Sequence, residues 1–206
     1  MTVGIVDYGI GNVGSIRNML RKAGIAAALV ASPEEIAAAD RLILPGIGAF
    51  DDVMRAFDAS GLRPAVEARA RGDGRPLLGV CVGMQMLMEG SDEGDAPGLG
   101  WLKGRARSLR TRLEGTGLRV PHMGWNTIDP SGASPLLARH EPRWKFYFAH
   151  AYAVECDDPA DIVATTTHGV AFASIVGRGN IHGVQFHPEK SREFGLALLR
   201  GFAEAA

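Results

Sequence analysis

The chain has 206 residues, 46% of them apolar and 22% charged, with a formal net charge of −1. That balance fits one globular domain over residues 1–206 with a substantial core, and it gives no electrostatic case for nucleic acid or a membrane surface. No apolar run approaches a membrane span, the start Met1-Thr2-Val3-Gly4-Ile5-Val6-Asp7 carries no basic leader, and Cys81 and Cys156 make no disulfide framework, so a reduced cytoplasmic protein is expected.

Residues 3–6 read as a buried strand, followed by a helix through about residue 22 that stops at Gly24. The turn between them holds G-x-G-x-x-G at Gly9, Gly11 and Gly14, with Glu34 and Glu35 about twenty residues on, the outline of a dinucleotide site. Against that outline, both acids follow Ser32-Pro33 and look like the first turn of a helix, whereas a ribose-binding acid ends the second strand. The competing reading is a turn that brings backbone close to something at the sheet's carboxyl edge. A second strand at 26–30 precedes a helix at 33–39 capped by Ser32, then a third strand at 41–44. The loop Pro45-Gly46-Ile47-Gly48-Ala49-Phe50 leads to helices at 51–59 and 62–71, broken at Gly61. An apolar strand then ends at Cys81, and a helix is expected over 84–89. This alternation predicts an α/β fold, a mainly parallel central sheet with helices on both faces and sites at the carboxyl ends of the strands. After Gly90 the texture changes. Residues 91–100 read as an acidic loop over the site, and short strands at 105–109, 119–120, 145–154, 162–167, 172–176 and 180–186 form a smaller antiparallel section of the same domain. An amphipathic helix at 191–203 closes the chain.

Gly79-Val80-Cys81-Val82-Gly83, between strand and helix, is the thiol counterpart of the G-x-S-x-G nucleophile elbow. The glycines permit a sharp turn that lifts the central side chain, and the following helix aims free N–H groups at it, which favours thiolate. The bland alternative is a buried cysteine in a tight turn. A thiol nucleophile needs a base, and the base an orienter. Of the six histidines, His140 and His168 sit beside turn residues and are expected to be exposed. His187-Pro188-Glu189 is the informative stretch: a strand continuing through Pro188 would put His187 and Glu189 on one face. The alternative is an exposed strand end carrying two polar residues. A metal site through His182, His187 and Glu189 has no recognisable ligand spacing, so no metal or cofactor is expected, and Cys156 is read as structural.

The elbow together with Gln185-Phe186-His187-Pro188-Glu189 resembles the class I glutamine amidotransferases. The stretches Asp7-Tyr8-Gly9-Ile10-Gly11-Asn12, Leu44-Pro45-Gly46-Ile47-Gly48-Ala49-Phe50, Val120-Pro121-His122-Met123-Gly124-Trp125-Asn126 and Phe146-Tyr147-Phe148-Ala149-His150-Ala151-Tyr152 narrow this to the family of glutaminase subunits of imidazole glycerol phosphate synthase. The resemblance implies Cys81 as nucleophile, His187 as proton shuttle and Glu189 as its orienter. It implies the backbone N–H groups of Val82 and Ile47 as oxyanion donors, and Gly46, Gly48, Gln85, His150 and Tyr152 at bound glutamine. It also implies a partner, a (β/α)8-barrel cyclase that consumes the ammonia in histidine biosynthesis, docked along Gly11, Asn12, Pro121, His122, Met123, Gly124 and Trp125. Trp125 is the candidate anchor; the alternative places it in a satellite core. The Ile47 peptide is expected to turn inward when the loaded cyclase binds. The chain departs from the family pattern at Ala151, where relatives usually carry Ser or Thr. An amidotransferase subunit of another pathway, such as anthranilate or pyridoxal phosphate synthesis, a nucleotide-binding module at Gly9–Gly14, and a γ-glutamyl peptidase or other cysteine hydrolase remain as alternatives.

Overall fold

The four apolar runs of the first half become strands β1 (Val3–Val6), β2 (Ala27–Val30), β3 (Arg41–Gly46) and β4 (Leu77–Cys81) in the computed structural model, which describes residues 1–139 and 141–204. Every residue of β1, β3 and β4 is buried, as strands covered on both faces must be. Eight further strands follow: β5 (Gly104–Ser108), β6 (His122–Thr127), β7 (Asp129–Pro130), β8 (Lys145–His150), β9 (Tyr152–Cys156), β10 (Ile162–His168), β11 (Val170–Arg178) and β12 (Ile181–Val184). The main sheet has the order β2-β1-β3-β4-β12-β11-β10-β7. Its first five strands run parallel, and β11, β10 and β7 continue it antiparallel. Two antiparallel ribbons, β5 with β9 and β6 with β8, complete the α/β architecture that the sequence predicts.

The helices follow from their apolar spacing and their ends. Helix α1 (Val13–Lys22) buries Ile16, Met19 and Leu20, one stripe. It stops in a Schellman motif: Gly24 takes φ +77, its N–H reaches the Arg21 carbonyl, and the Ile25 N–H reaches that of Leu20. Ser32 caps α2 (Pro33–Ala38) by accepting from Glu35 N, and the Glu35 carboxylate accepts from Ala31 N at 2.7 Å. Both glutamates therefore belong to a helix start, and β2 ends without an acid for a ribose. Helix α3 (Phe50–Ala59) buries Phe50, Val53, Met54 and Phe57. The helix expected over 62–71 is α4 (Arg63–Glu67) followed by a π turn, Ala68–Gly72, which Asn180 holds by donating to the Ala70 carbonyl at 2.7 Å. After α5 (Val82–Met86) and the short α6 (Leu109–Arg112), α7 (Arg192–Glu204) closes the fold.

Three expected strands differ. Residues 119–120 form no strand; pairing begins at His122. The run 145–154 is two strands in different ribbons, because at Ala151 the chain leaves β6 for β5, with the Ala151 carbonyl accepting from Leu109 N. The last strand ends at Val184, and Pro188–Lys190 is a 3₁₀ turn, since proline lacks the ladder donor and its fixed φ suits a first helical position. His140 lies outside the described residues, among which no helix is long and apolar enough to cross a membrane.

Candidate active site

Cys81 ends β4 and caps α5, with φ 57 and ψ −113, a conformation that L-residues avoid unless the surroundings enforce it. The enforcement is close packing of backbone on backbone. A Cβ on Gly83 would collide with the Leu44 carbonyl oxygen, one on Gly79 would lie 2.9 Å from Met84 Cα, and one on Gly46 would lie 2.6 Å from Gly83 N. The elbow's glycines thus let β3, β4 and α5 meet. The helix starts at Val82, directly after the thiol, not at residue 84.

The second half of the site comes from the turn after β12. His187 Nδ1 donates to Glu189 Oε1 at 2.9 Å, across the 3₁₀ turn rather than along a strand. The His187 backbone is fixed on both sides: its N–H reaches the Tyr147 carbonyl at 2.9 Å, and its carbonyl accepts from Ser191 Oγ at 2.6 Å. The Glu189 side chain is 1% exposed. Its Oε1 also accepts from Asn12 Nδ2 at 3.2 Å, and Oε2 has no hydrogen-bond partner among the described residues. Burial pulls the His187 pKa down, but hydrogen bonds to Cys81 and Glu189 and the charge of both reverse this and raise it to about 9. Cys81, His187 and Glu189, spread over 108 positions of the chain, therefore form one contiguous group.

Cys81 and His187 line a cavity of about 320 Å³ together with Ile47, Gly48, Val82, Gln85, His150 and Tyr152. Gly46 is instead behind its wall, opposite Cys81 in the β3–β4 register. Four further side chains, which the sequence does not assign to the site, belong here. Glu93, from the acidic loop, lines the cavity and accepts from Phe50 N at 2.9 Å, and Lys190 lines it too. Gln185 is wholly buried, directs Nε2 at Cys81 Sγ at 3.9 Å and accepts from Gln85 Nε2 at 3.1 Å. Asn12, expected at a partner surface, is half-buried and spends its amide on Glu189.

Other expectations change with burial. His122, expected on the docking edge, is 4% exposed, and His168, expected in solvent, is half-buried and stacked on it at 4.3 Å. Burial pushes the pKa of His122 down to about 4, helped by His168, and that of His150 down to about 3. Pro121, Met123 and Trp125 are exposed, Met123 by 63%, while Gly124 is intermediate. The glycine-rich first turn is packed at Gly11 alone, a Cβ at Gly9 or Gly14 meeting nothing within 4 Å. Gly11 takes φ +126 with its Cα against Pro45, and the Tyr8 hydroxyl donates to the Pro45 carbonyl. That close approach accounts for Gly11, and the positive φ of 87 for Gly9, without a dinucleotide.

These histidines set opposite limits on stability. His187 has a folded pKa near 9 against about 6.5 unfolded, so its contribution is complete below pH 6.5 and disappears as pH rises to 9. His122, His150 and His182, pushed down to about 4, 3 and 4 by burial, contribute fully above about pH 6.5 and lose that as pH falls through those values. Thermal melts between pH 4.5 and 9.5 are expected to peak near the unfolded value of about 6.5, and His187→Asn should flatten the alkaline limb only.

Residues 4–205 match the family Glutamine amidotransferase class-I. The chain is 44% identical over 200 residues to the imidazole glycerol phosphate synthase subunit HisH of Bdellovibrio bacteriovorus, with 97% of this chain and 98% of the relative covered. It is 47% identical over 196 residues to the protein of that name from Symbiobacterium thermophilum, with 95% and 90% covered. A crystal structure of a glutamine amidotransferase superposes with a TM-score of 0.75 at 20% identity, covering 98% of this chain and 97% of that one, a likeness of fold. The chain belongs to the class-I glutamine amidotransferases and, among them, to the family of imidazole glycerol phosphate synthase subunit HisH.

Proposed function

We propose that the chain is the glutaminase subunit of an imidazole glycerol phosphate synthase, hydrolysing glutamine and passing the ammonia to a cyclase that makes imidazole glycerol phosphate and AICAR. The observation that carries this reading is an imidazole hydrogen-bonded to a buried carboxylate and sharing the wall of one cavity with a buried thiol whose charge it feels. Cys81 Sγ attacks the side-chain amide carbon of glutamine. The oxyanion is met by the Val82 and Ile47 N–H groups, each donor of this kind being worth about 3 kcal/mol of barrier. His187, protonated at neutral pH, gives its proton to the leaving nitrogen, and the C–N bond breaks to leave a γ-glutamyl thioester. The ring then takes a proton from water, which attacks the thioester carbon; the C–S bond breaks, glutamate is released, and the ring holds its proton again with sulfur free as at the start. Glu189 holds the ring and balances its charge. The Glu93 carboxylate supplies a counter-charge for the substrate's ammonium group, and Gln85 and Tyr152 line the same space.

Residues 1–206 act as one domain in this reading, in the cytoplasm and without a cofactor. The partner is a (β/α)8-barrel cyclase docking on the face of Met123, Trp125 and Ile47, exposed by 63%, 43% and 43%. The Trp125 ring is held there by Tyr147, edge-on at 6.1 Å, and by the Arg192 guanidinium at 5.3 Å, a preorganised aromatic anchor. Because free ammonia protonates and diffuses away, the Ile47 peptide turns inward only when the loaded cyclase binds. The test is glutamate release with and without cyclase and its ligand. Turnover is expected to rise strongly on addition, and Trp125→Ala to weaken the complex by about 2 kcal/mol, roughly thirtyfold. Glutamine turnover by the lone chain at the full rate, indifferent to cyclase, would refute the coupling.

A further inference from the structure

Two buried histidines that take no part in the proposed chemistry form a chain ending at the substrate cavity. His150 lines the cavity and His122 lies behind it, 5% and 4% exposed. His150 Nδ1 is 2.8 Å from the Tyr152 carbonyl oxygen, His150 Nε2 is 3.0 Å from His122 Nδ1, and His122 Nε2 is 3.3 Å from Asn126 Nδ2. One arrangement of protons satisfies every contact. A carbonyl only accepts, so His150 carries its proton on Nδ1. A neutral ring has one N–H, so His150 Nε2 accepts and His122 Nδ1 donates. His122 Nε2 then accepts, and it faces an amide nitrogen. That amide's orientation is fixed independently, because Asn126 Oδ1 accepts from Thr127 N at 2.9 Å while Nδ2 donates to the Thr167 carbonyl at 2.9 Å. The chain is closed and runs one way, from Asn126 through His122 and His150 to Tyr152.

What it holds is a cavity wall. The Tyr152 carbonyl also accepts from Gln85 Nε2 at 3.2 Å, so both of its lone pairs are engaged and the direction of its peptide is set. The carbonyl belongs to the Tyr152–Ala153 peptide, one residue past Ala151, where the chain crosses from β8 to β9. Ala151 lines the cavity and offers a substrate only main-chain groups, and main-chain groups recognise a ligand only as well as they are held in place.

Resting on glutamine as the substrate, we propose that His122 is a positioning residue for its amino-acid head group: by donating to His150 it locks the tautomer that secures the 150–152 wall. Without that donor, His150 is free to move its proton to Nε2, which leaves Nδ1 and the Tyr152 carbonyl as two acceptors face to face. His122→Phe keeps a flat ring against Phe148 and His168, which stack on the imidazole, but has no N–H. His122→Asn places an amide N–H near the position of Nδ1.

The experiment measures glutamine KM and kcat in the cyclase complex for both variants, and the ¹⁵N chemical shifts of His150 in native and variant chains. His122→Phe is expected to raise KM about tenfold and to lower kcat less than about threefold, with recovery in His122→Asn. His150 is expected to carry its proton on Nδ1 in the native and Asn chains and to show mixed tautomers in the Phe chain. An unchanged KM in His122→Phe, or a native His150 protonated on Nε2, overturns the proposal. The native spectrum decides the proton order even if the Phe variant does not fold. Absence of glutamine turnover in native protein would instead refute the proposed activity, while leaving the ¹⁵N measurement fully informative.

Discussion

Cys81→Ala is expected to lower glutamine turnover by at least about 10⁴-fold, the scale on which removing an activated nucleophile acts when its partners remain. No other thiol is placed to take over. Cys156, the second free cysteine, is at the far end of β9, and burial followed by the charges of Asp161 and Asp157 pushes its pKa up to about 12, where thiolate is scarce at neutral pH. The loss reads chemistry rather than folding. Alanine carries the same Cβ as cysteine, so the elbow's φ of 57 makes the same demand on the backbone, and the packing of Gly79 and Gly83 is untouched. Removing the sulfur also removes one of the two groups that raise the His187 pKa, so the ring should titrate lower in the variant, while cyclase binding at the proposed Trp125 face should persist. Stopped-time glutamate assays on the complex check the first point and histidine NMR the second. Retention of more than about 1% of native turnover would remove Cys81 from the reaction.

The elbow is legible in the sequence because every contact that makes it is local: strand, turn and helix are continuous, and the glycines on either side of Cys81 announce close backbone approach. The pairing of His187 with Glu189 is legible for a similar reason, two residues of separation. The element carrying it is not, because a strand and a 3₁₀ turn both bring such neighbours together and only the loss of ladder pairing after Val184 decides between them. The split of 145–154 is hidden because no glycine, proline or other turn signal interrupts the run at Ala151; what changes there is the partner strand, and pattern carries no partner. Asn12, 177 positions from Glu189, and Gln185, 104 from Cys81, escape because the fold alone makes those contacts. The exposed neighbours Met123 and Trp125 suggest a surface position for His122, although period-2 alternation along β6 sends it to the opposite face.

Glu189→Gln is expected to lower kcat by about 10²–10³-fold, less than the ~10⁴ typical when an orienting carboxylate is replaced by an amide. The difference comes from the two donors that Glu189 meets. His187 Nδ1 and Asn12 Nδ2 both point at Oε1, at 2.9 and 3.2 Å, and a glutamine there will turn its carbonyl oxygen to them and its NH₂ to the unpartnered Oε2 position. The imidazole therefore keeps its tautomer and orientation, which is the part lost where no second donor selects the amide's direction. Charge is what disappears. Glu189 is one of the two groups holding the His187 pKa at about 9, and without its carboxylate burial is opposed by Cys81 alone, so the ring should titrate well below that value. The alkaline limb of the rate profile should move down in step, because the acid that protonates the leaving nitrogen is lost at lower pH. Asn12→Ala combined with Glu189→Gln is the decisive extension. With Asn12 gone the amide is free to flip, the wrong tautomer becomes accessible, and the double variant should fall a further tenfold or so, beyond the sum of the separate losses in free energy. Additive losses would show that Asn12 does not select the orientation, and a Glu189→Gln kcat within about tenfold of native would show that the carboxylate's charge contributes little to the reaction.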